Sequence, residues 1–321
     1  SISLEEGYGI QLSVNSVKLL NEIGFEKLQN NVKFTPEKIN FYSIKNSTNI
    51  CELNISEFNS DNCNYTTLKR STLINFLKKD LEDIIKTDYY ISKIDKIEKQ
   101  IKLSFENNKI DKCDYLIISD GVFSKCRSLI SNNKIQPKYN NTLAIRGILP
   151  KSPKYIDSKN ITLFLGSDFH YVFYPVNSSG ELNFIAIMKY ELSSEEQKNY
   201  RLFIDDLFIK KVLGKIPLTN KDFLHDLEEL KIFPVFVSED FYKLQNNNIH
   251  LIGDAFFAFP PSFAQGASQS IEGAYELFQS IKNNTEHNFF NNRVNKVKMV
   301  NNRSKLNQFV FHLSNPFTIF F

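Results

Sequence analysis

The sequence predicts an α/β protein of about two domains, on three observations. Two apolar stretches, 114–119 and 249–252, each read as a strand that runs into an Asp/Gly turn, the second leading on to a helix. Between them, from about Thr142 to Val237, the texture is mostly β, with aromatics alternating through Phe164, Tyr171, Phe173 and Phe184. The chain has 321 residues, which at roughly 150 residues per domain suits two domains.

The elements follow in order. Gly7 to Phe25 (G-Y-G-I-Q-L-S-V-N-S-V-K-L-L-N-E-I-G-F) holds a short helix capped by Asn15 or Ser13, with Val17, Leu20 and Ile23 as its apolar face and Gly24 as its stop. Residues 38–57 alternate around K-N-S-T-N and predict a hairpin. Leu73, Leu77, Leu81 and Ile84 fall on one face of a helix over 70–86. Tyr89–Ile97 and Ile101–Phe105 are strand-like, and Asp114–Ser119 ends in Asp120-Gly121. A polar helix near 194–213 interrupts the β region. Ile249–Ile252 leads through a Gly-Asp turn and a Pro-Pro loop to a helix from Gly266 to about Ile281; the tail is helical and basic, then apolar.

Composition narrows the classes. Hydrophobic residues make up 42% and charged residues 23%, and the net charge is +3, so no global charge argues for nucleic acid. Mean hydropathy is -0.30, and no apolar run reaches the ~18 residues of a spanning helix. The opening residues do not lead to the expectation of a signal peptide. Cys51, Cys63, Cys113 and Cys126 form no C-x-x-C pair, so a reducing, cytoplasmic setting is expected, with neither zinc site nor disulfide scaffold. The five histidines are scattered, which argues against a metal site, and no G-x-S-x-G or Ser/His/Asp arrangement is visible. Glycine is scarce, 11 residues against roughly 22 at average usage. The places that keep it are those that need its backbone freedom.

The segment 250–274, H-L-I-G-D-A-F-F-A-F-P-P-S-F-A-Q-G-A-S-Q-S-I-E-G-A, combines most chemistry. A strand delivers Asp254 to a turn, where its carboxylate can accept hydrogen bonds from hydroxyls. Pro260-Pro261 stiffens the next loop. Gly266 lets backbone approach a ligand, and the helix beginning there aims free N–H groups and partial positive charge at it.

This segment resembles the FAD-dependent aromatic-ring monooxygenases, the family of the p-hydroxybenzoate, salicylate and ubiquinone-pathway hydroxylases. The resemblance implies that Gly253-Asp254 binds a ribityl hydroxyl of FAD. It also implies that Pro261, Gln265, Gly266 and Ala267 lie along the isoalloxazine ring, with the helix N-terminus stabilising charge near N1 and C2=O. D-Y-L-I-I-S-D-G-V-F-S-K-C-R, residues 114–127, resembles the family's second motif. Asp120 and Gly121 would lie near the pyrophosphate, with Arg127 closing it; Cys126 reads as a packing residue. Arg70, in T-L-K-R-S-T-L-I-N-F-L, matches an arginine that bridges phosphate or ribityl oxygens. The stretches G-Y-G-I-Q-L-S-V-N-S, H-Y-V-F-Y-P-V-N-S-S-G-E-L-N-F (170–184) and R-S-K-L-N-Q-F-V-F-H-L-S-N-P resemble family scaffold. His170, Tyr171 and Phe173 read as core of a substrate-side sheet rather than as ligands.

One departure stands out. The family opens with a strand, a G-x-G-x-x-G loop and a helix, with an acid about 20 residues on. Here Gly7-Tyr8-Gly9 is followed by Leu12 at the third glycine position, and no strand precedes it. The expectation is a chain that starts just after the first βαβ unit, a fragment lacking ~40 residues and inactive alone. The fold class expected is therefore an α/β FAD-binding domain of the p-hydroxybenzoate hydroxylase type without that unit, interleaved with a mostly β substrate domain. Residues 1–130 and 241–290 would form the FAD domain, 131–240 the substrate domain joined by the hairpin 38–57, and 291–321 a C-terminal helix and tail. By resemblance NADH or NADPH reduces FAD, O2 forms a flavin C4a-hydroperoxide, and an aromatic or quinone-like small molecule is hydroxylated; no protein residue is assigned as catalytic, because the cofactor carries the chemistry. The rival readings are a reductase-type FAD oxidoreductase and a non-catalytic module of the same fold. A W-x-W-x-I-P halogenase signature is impossible without tryptophan. For the apolar end F-V-F-H-L-S-N-P-F-T-I-F-F, packing of Phe309 and Phe311 on the FAD domain is expected over peripheral membrane contact, because Pro316 breaks an amphipathic helix.

Overall fold

Residues 8–97, 100–132, 135–153, 156–217, 222–244, 248–261 and 264–312 are described by the structure, a computed structural model. Strand β1 (Gly9–Leu12) leads into α1 (Val14–Asn21), then β2 (Lys33–Phe34), β3 (Lys38–Ser43), β4 (Asn49–Asn54), β5 (Thr66–Lys69) and α2 (Arg70–Lys78). Next come β6 (Ile91–Ile97), β7 (Gln100–Phe105), β8 (Ile110–Cys113), β9 (Leu116–Ile118) and α3 (Lys125–Ser131). The β-rich middle holds β10 (Lys138–Leu149), β11 (Ile161–Gly166), β12 (Phe169–Pro175), β13 (Leu182–Lys189), α4 (Asp206–Gly214) and β14 (Glu228–Val237). Strand β15 (Ile249–Leu251), α5 (Gly253–Phe256), α6 (Gly266–Lys282) and α7 (Glu286–Phe311) complete it.

The aromatic alternation of the middle region builds a seven-stranded sheet, ordered β14-β10-β13-β12-β11-β3-β4. Its pairs are antiparallel except β11 with β3, so the hairpin 38–54 adds the last two strands. Period-2 alternation sends Ile145, Ala186, Tyr171 and Phe164 to one face, in register across β10, β13, β12 and β11. There they join Phe173, Phe184, Phe203, Phe208, Val212 and Phe223 in one buried cluster beneath α4. Each such aromatic contributes about 1.5–3 kcal/mol by burial. The other face carries Arg146, Ile185, Val172 and Leu163 in one cross-strand row and Ala144, Ile187, His170 and Leu165 in the next.

Strands β9 and β15 pair in parallel, and β6, β7 and β8 form an antiparallel meander. Ile101, Leu103, Leu116, Ile118, Ile249, Leu251 and Val297 share a second buried cluster there. Helices α6 and α7 are tied by Arg293, which donates to Gln269 Oε1 at 2.9 Å and Glu276 Oε2 at 3.3 Å. A third cluster gathers Leu12, Val17, Leu20, Phe25, Leu68 and Leu73, with Phe76, Ala267 and Ile271 packed against it. Helix α1 is capped by Ser13, whose hydroxyl accepts from Ser16 N–H, rather than by Asn15, which lies within it. Gly24 follows at φ +91°, but Ile23 is exposed.

Three expectations are corrected here. The helix after Arg70 stops at Lys78, and Leu77, Leu81 and Ile84 are exposed. Asp80, at φ +66°, turns the chain out of helical geometry two residues later. The polar segment 194–213 opens as 3-10 turns at 196–198 and 200–204, so α4 begins only at Asp206, capped by Asp205. At the C-terminus Phe309 is exposed. Phe311 packs against the seven-stranded sheet, with ring centroids 6.2 Å from Phe41 and 5.3 Å from His170, not against the β9–β15 layer. Residues 313–321 lie outside the described residues.

Candidate functional site

Parallel pairing places two loops side by side. Leu116, Ile117 and Ile118 register with Ile249, His250 and Leu251. Asp120-Gly121 and Gly253-Asp254 therefore leave the carboxyl ends of adjacent strands, where open α/β layers bind ligands. Both turns need glycine: Gly121 has φ +84° and Gly253 φ +58°. A Cβ on Gly253 would also stand 3.1 Å from Ser270 Oγ.

Asp254 lies in the first turn of α5, and no described residue hydrogen-bonds its carboxylate. Although open to solvent on one side, it is hemmed in by protein, and the lost hydration raises its pKa above the ordinary carboxylate value. Gly253, Asp254, Gly266, Gln269 and Ser270 line one recess. Helix α6 starts at Gly266 with no side-chain cap and no acid in its first turn, so partial positive charge stands open at its end. A Cβ on Gly266 would meet nothing within 4 Å, and its backbone is not left-handed. Nothing in the chain's own packing therefore demands glycine there. Ala264, two residues earlier, takes the left-handed conformation at φ +51°. Pro261 and Gln265 flank it, half-exposed, and Ala267 packs inward against the cluster around Leu12.

The second loop is held differently from expectation. Asp120 Oδ2 accepts the Cys126 N–H at 3.0 Å and Ser124 Oγ accepts the Arg127 N–H at 2.9 Å, so both cap α3. Arg127 is 2% exposed. Its guanidinium donates to Ala255 O at 2.8 Å and Val122 O at 2.5 Å, bracing one loop to the other instead of facing outward to close a pyrophosphate. Burial pushes the Cys126 thiol up to about 12, with Asp120 adding to the effect, which suits a packing residue.

Arg70 heads α2, exposed, with its N–H donating to Tyr8 O at 2.9 Å. Leu73 and Phe76 of the same helix share a cluster with Ala267 and Ile271, bringing Arg70's helix to the Gly266 end of α6. Gly9 belongs to a strand and not to a dinucleotide loop. Its N–H donates to Asn183 Oδ1 at 2.6 Å, and a Cβ would stand 2.6 Å from Tyr174 and Asn183. Sequence reasoning passed over Arg146, whose signal was available: it is the only charge in T-L-A-I-R-G-I-L, 142–149. His170 Nδ1 lies 2.8 Å from His312 Nε2, and burial with the neighbouring imidazole pushes the His170 pKa down to about 3.

These residues fit FAD. A carboxylate without a protein partner suits ribityl hydroxyls, an uncapped helix end suits an electron-rich ring edge, and the open space at Gly266 admits a planar group. Among the described residues no cluster of His, Cys, Asp and Glu could hold a metal ion, and no helix is long and apolar enough to cross a membrane.

Comparison with known proteins agrees. The family described as FAD binding domain matches residues 94–286, more than half of the chain, and the chain belongs to that family. It is similar to zeaxanthin epoxidase of an Oncidium hybrid cultivar, 23% identical over 63% of this chain and 30% of the relative. It is also similar to a Pseudomonas putida salicylate hydroxylase, 26% identical over 56% of this chain and 45% of the relative. The chain thus spans a third to a half of the length of these relatives. Among solved structures, Klebsiella pneumoniae HpxO complexed with FAD and uric acid superposes with a TM-score of 0.80, 15% identity, and coverage of 96% of this chain and 80% of that one, which shows a shared fold.

Proposed function

We propose that this chain carries the flavin and substrate sites of an FAD-dependent monooxygenase that uses NADH or NADPH and O2 to hydroxylate an aromatic or quinone-like small molecule. Bound FAD would supply electron transfer and the activation of O2. The chain's own residues hold and shield it. Asp254 accepts a ribityl hydroxyl, Arg70 meets phosphate or ribityl oxygens, and the first-turn N–H groups at Gly266-Ala267 stabilise negative charge at the ring edge. Pro261 and Gln265 carry the loop along the ring. Asp120, Gly121 and Arg127 set the neighbouring loop, Arg127 as a positioning residue through Ala255 O. Ile185, Val172 and Leu163 belong to a packed apolar cluster that keeps water out of that face of the sheet.

The observation that carries this reading is Gly266, a glycine at an uncapped helix end that neither backbone angle nor packing requires, beside the unpartnered Asp254. The test follows NADH and NADPH oxidation, O2 uptake and product mass by the full-length, FAD-supplemented protein with a panel of phenols and hydroxybenzoates. Oxidation matched by O2 uptake and a product gaining one oxygen atom supports it. Substrate reduction without O2 uptake would replace it with a reductase.

A further inference from the structure

Helix α7 carries apolar residues on two faces, and the described fold uses only one of them. Phe289, Val294, Val297 and Val300 are buried, Val294 and Val297 in the cluster they share with β9 and β15. On the outer side Met299, Leu306 and Phe309 are 54%, 59% and 65% exposed. Spaced seven and three residues apart, they fall within about a quarter turn of one another. Asn295 and Asn302, also exposed, stand among them. Single exposed apolar residues are ordinary, but three large ones aligned along about 15 Å of one helix form the kind of patch that meets a partner.

The charge around the row selects the partner. Lys298 and Lys305 follow one side of it and Arg303 the other, all exposed. From His287 to Phe321 the sequence holds five Lys or Arg and no Asp or Glu. Two of the five are engaged within the protein: Arg293 is buried against Gln269 and Glu276, and Lys296 pairs with Glu276. Lys298 lies over the Phe241 ring at 5.9 Å, a contact that does not neutralise its charge. Asp168, which lines a cleft with Lys305 and Phe309, is paired with Lys189 at 3.5 Å. An apolar row with basic flanks is the pattern of a helix lying in the plane of lipid headgroups. Its apolar side chains dip among acyl chains while its cations, on long stems, meet the phosphates. Phe309 ends the row before Pro316, so that proline does not interrupt it, and the sequence that follows, L-S-N-P-F-T-I-F-F, adds apolar residues and no acid.

We infer that α7 docks the protein on an anionic lipid surface, with Met299, Leu306 and Phe309 among the acyl chains and Lys298, Arg303 and Lys305 against the headgroups. None of these six residues belongs to the flavin site, so the docking stands or falls apart from bound FAD.

The test sediments the full-length protein with vesicles of phosphatidylcholine alone and of equimolar phosphatidylcholine and phosphatidylglycerol. Wild type partitions onto the anionic vesicles about tenfold or more strongly than onto the neutral ones, and added salt weakens the binding. Arg303→Gln and Lys305→Gln each lower the partition coefficient about fivefold. Leu306→Ser combined with Phe309→Ser lowers it about tenfold or more. Melting temperature and FAD content stay unchanged, because all four side chains are exposed; should the serine pair disturb folding, the two glutamine variants decide. A wild type that stays in the supernatant, equal binding to both vesicles, or folded variants that bind like wild type overturn the inference. A dimer in sedimentation velocity that the serine pair disperses also overturns it, assigning the row to a second copy of the chain.

Discussion

Asp254 answers to two opposed demands. The recess strips water from its carboxylate and raises its pKa, so without a ligand the folded state binds a proton more tightly than the unfolded chain. That charge costs stability at neutral pH, and the cost is relieved as pH falls through the raised value towards the ordinary 3.8. Asp254→Asn should therefore raise the melting temperature of the FAD-free protein at pH 7. The same change should weaken FAD by about tenfold to a hundredfold, since a hydrogen bond to a charged group is worth ~1.5–3 kcal/mol. Flavin titration and thermal melts of one preparation check both; a variant with unchanged FAD affinity contradicts the assignment. Asp254 and Gly266 were legible because their pattern, strand, acid, stiff loop and glycine-led helix, is local. Arg146 was less so, because its Tyr8 ring contact and its cross-strand neighbour Lys231 come from 138 residues before and 85 after.

At the scale of elements, sequence periodicity located β9, β15 and α6 closely, because both strands alternate or run apolar between clear turns. It overran α2, since Leu77, Leu81 and Ile84 keep helical spacing although the backbone leaves the helix at Lys79-Asp80. Spacing reports what a helix face would be, not whether anything covers it. The resemblance names Arg127, but residue identity does not say which way a guanidinium points. Buried between the loops, Arg127 satisfies Val122 O and Ala255 O and fixes the backbone on which Asp254 rides. Arg127→Met should destabilise the protein by about 2–3 kcal/mol through those orphaned carbonyls. An unchanged urea midpoint would show that the brace carries no weight.

Across the whole molecule, the seven-stranded sheet and the α/β layer meet through β1 at Gly9 and through α7, whose last turn sets His312 and Phe311 against His170. Asp168 and Lys189 are the charged groups near that junction; Asp168 favours the His312 charge and Lys189 opposes it. Both imidazoles have pKa values lowered by burial, His170 to about 3. A histidine depressed in the folded state binds its proton better when unfolded, so its stability contribution is complete above the unfolded value near 6.5 and is lost as pH falls towards 3. Urea unfolding between pH 7.5 and 5 should show falling stability below about 6.5, and His170→Gln should flatten that slope. An identical slope in the variant would place the acid sensitivity elsewhere.

Whether a flavin fills the open space at Gly266 is decided by the FAD dissociation constant of Gly266→Val in the full-length protein, set beside its FAD-free stability. A Cβ there meets no protein atom within 4 Å, and valine in a first helical turn is no worse than glycine. Gly266→Val should therefore keep its FAD-free stability within about 0.5 kcal/mol of wild type while losing FAD binding. A variant that keeps both its stability and its FAD affinity would show that no flavin occupies that space.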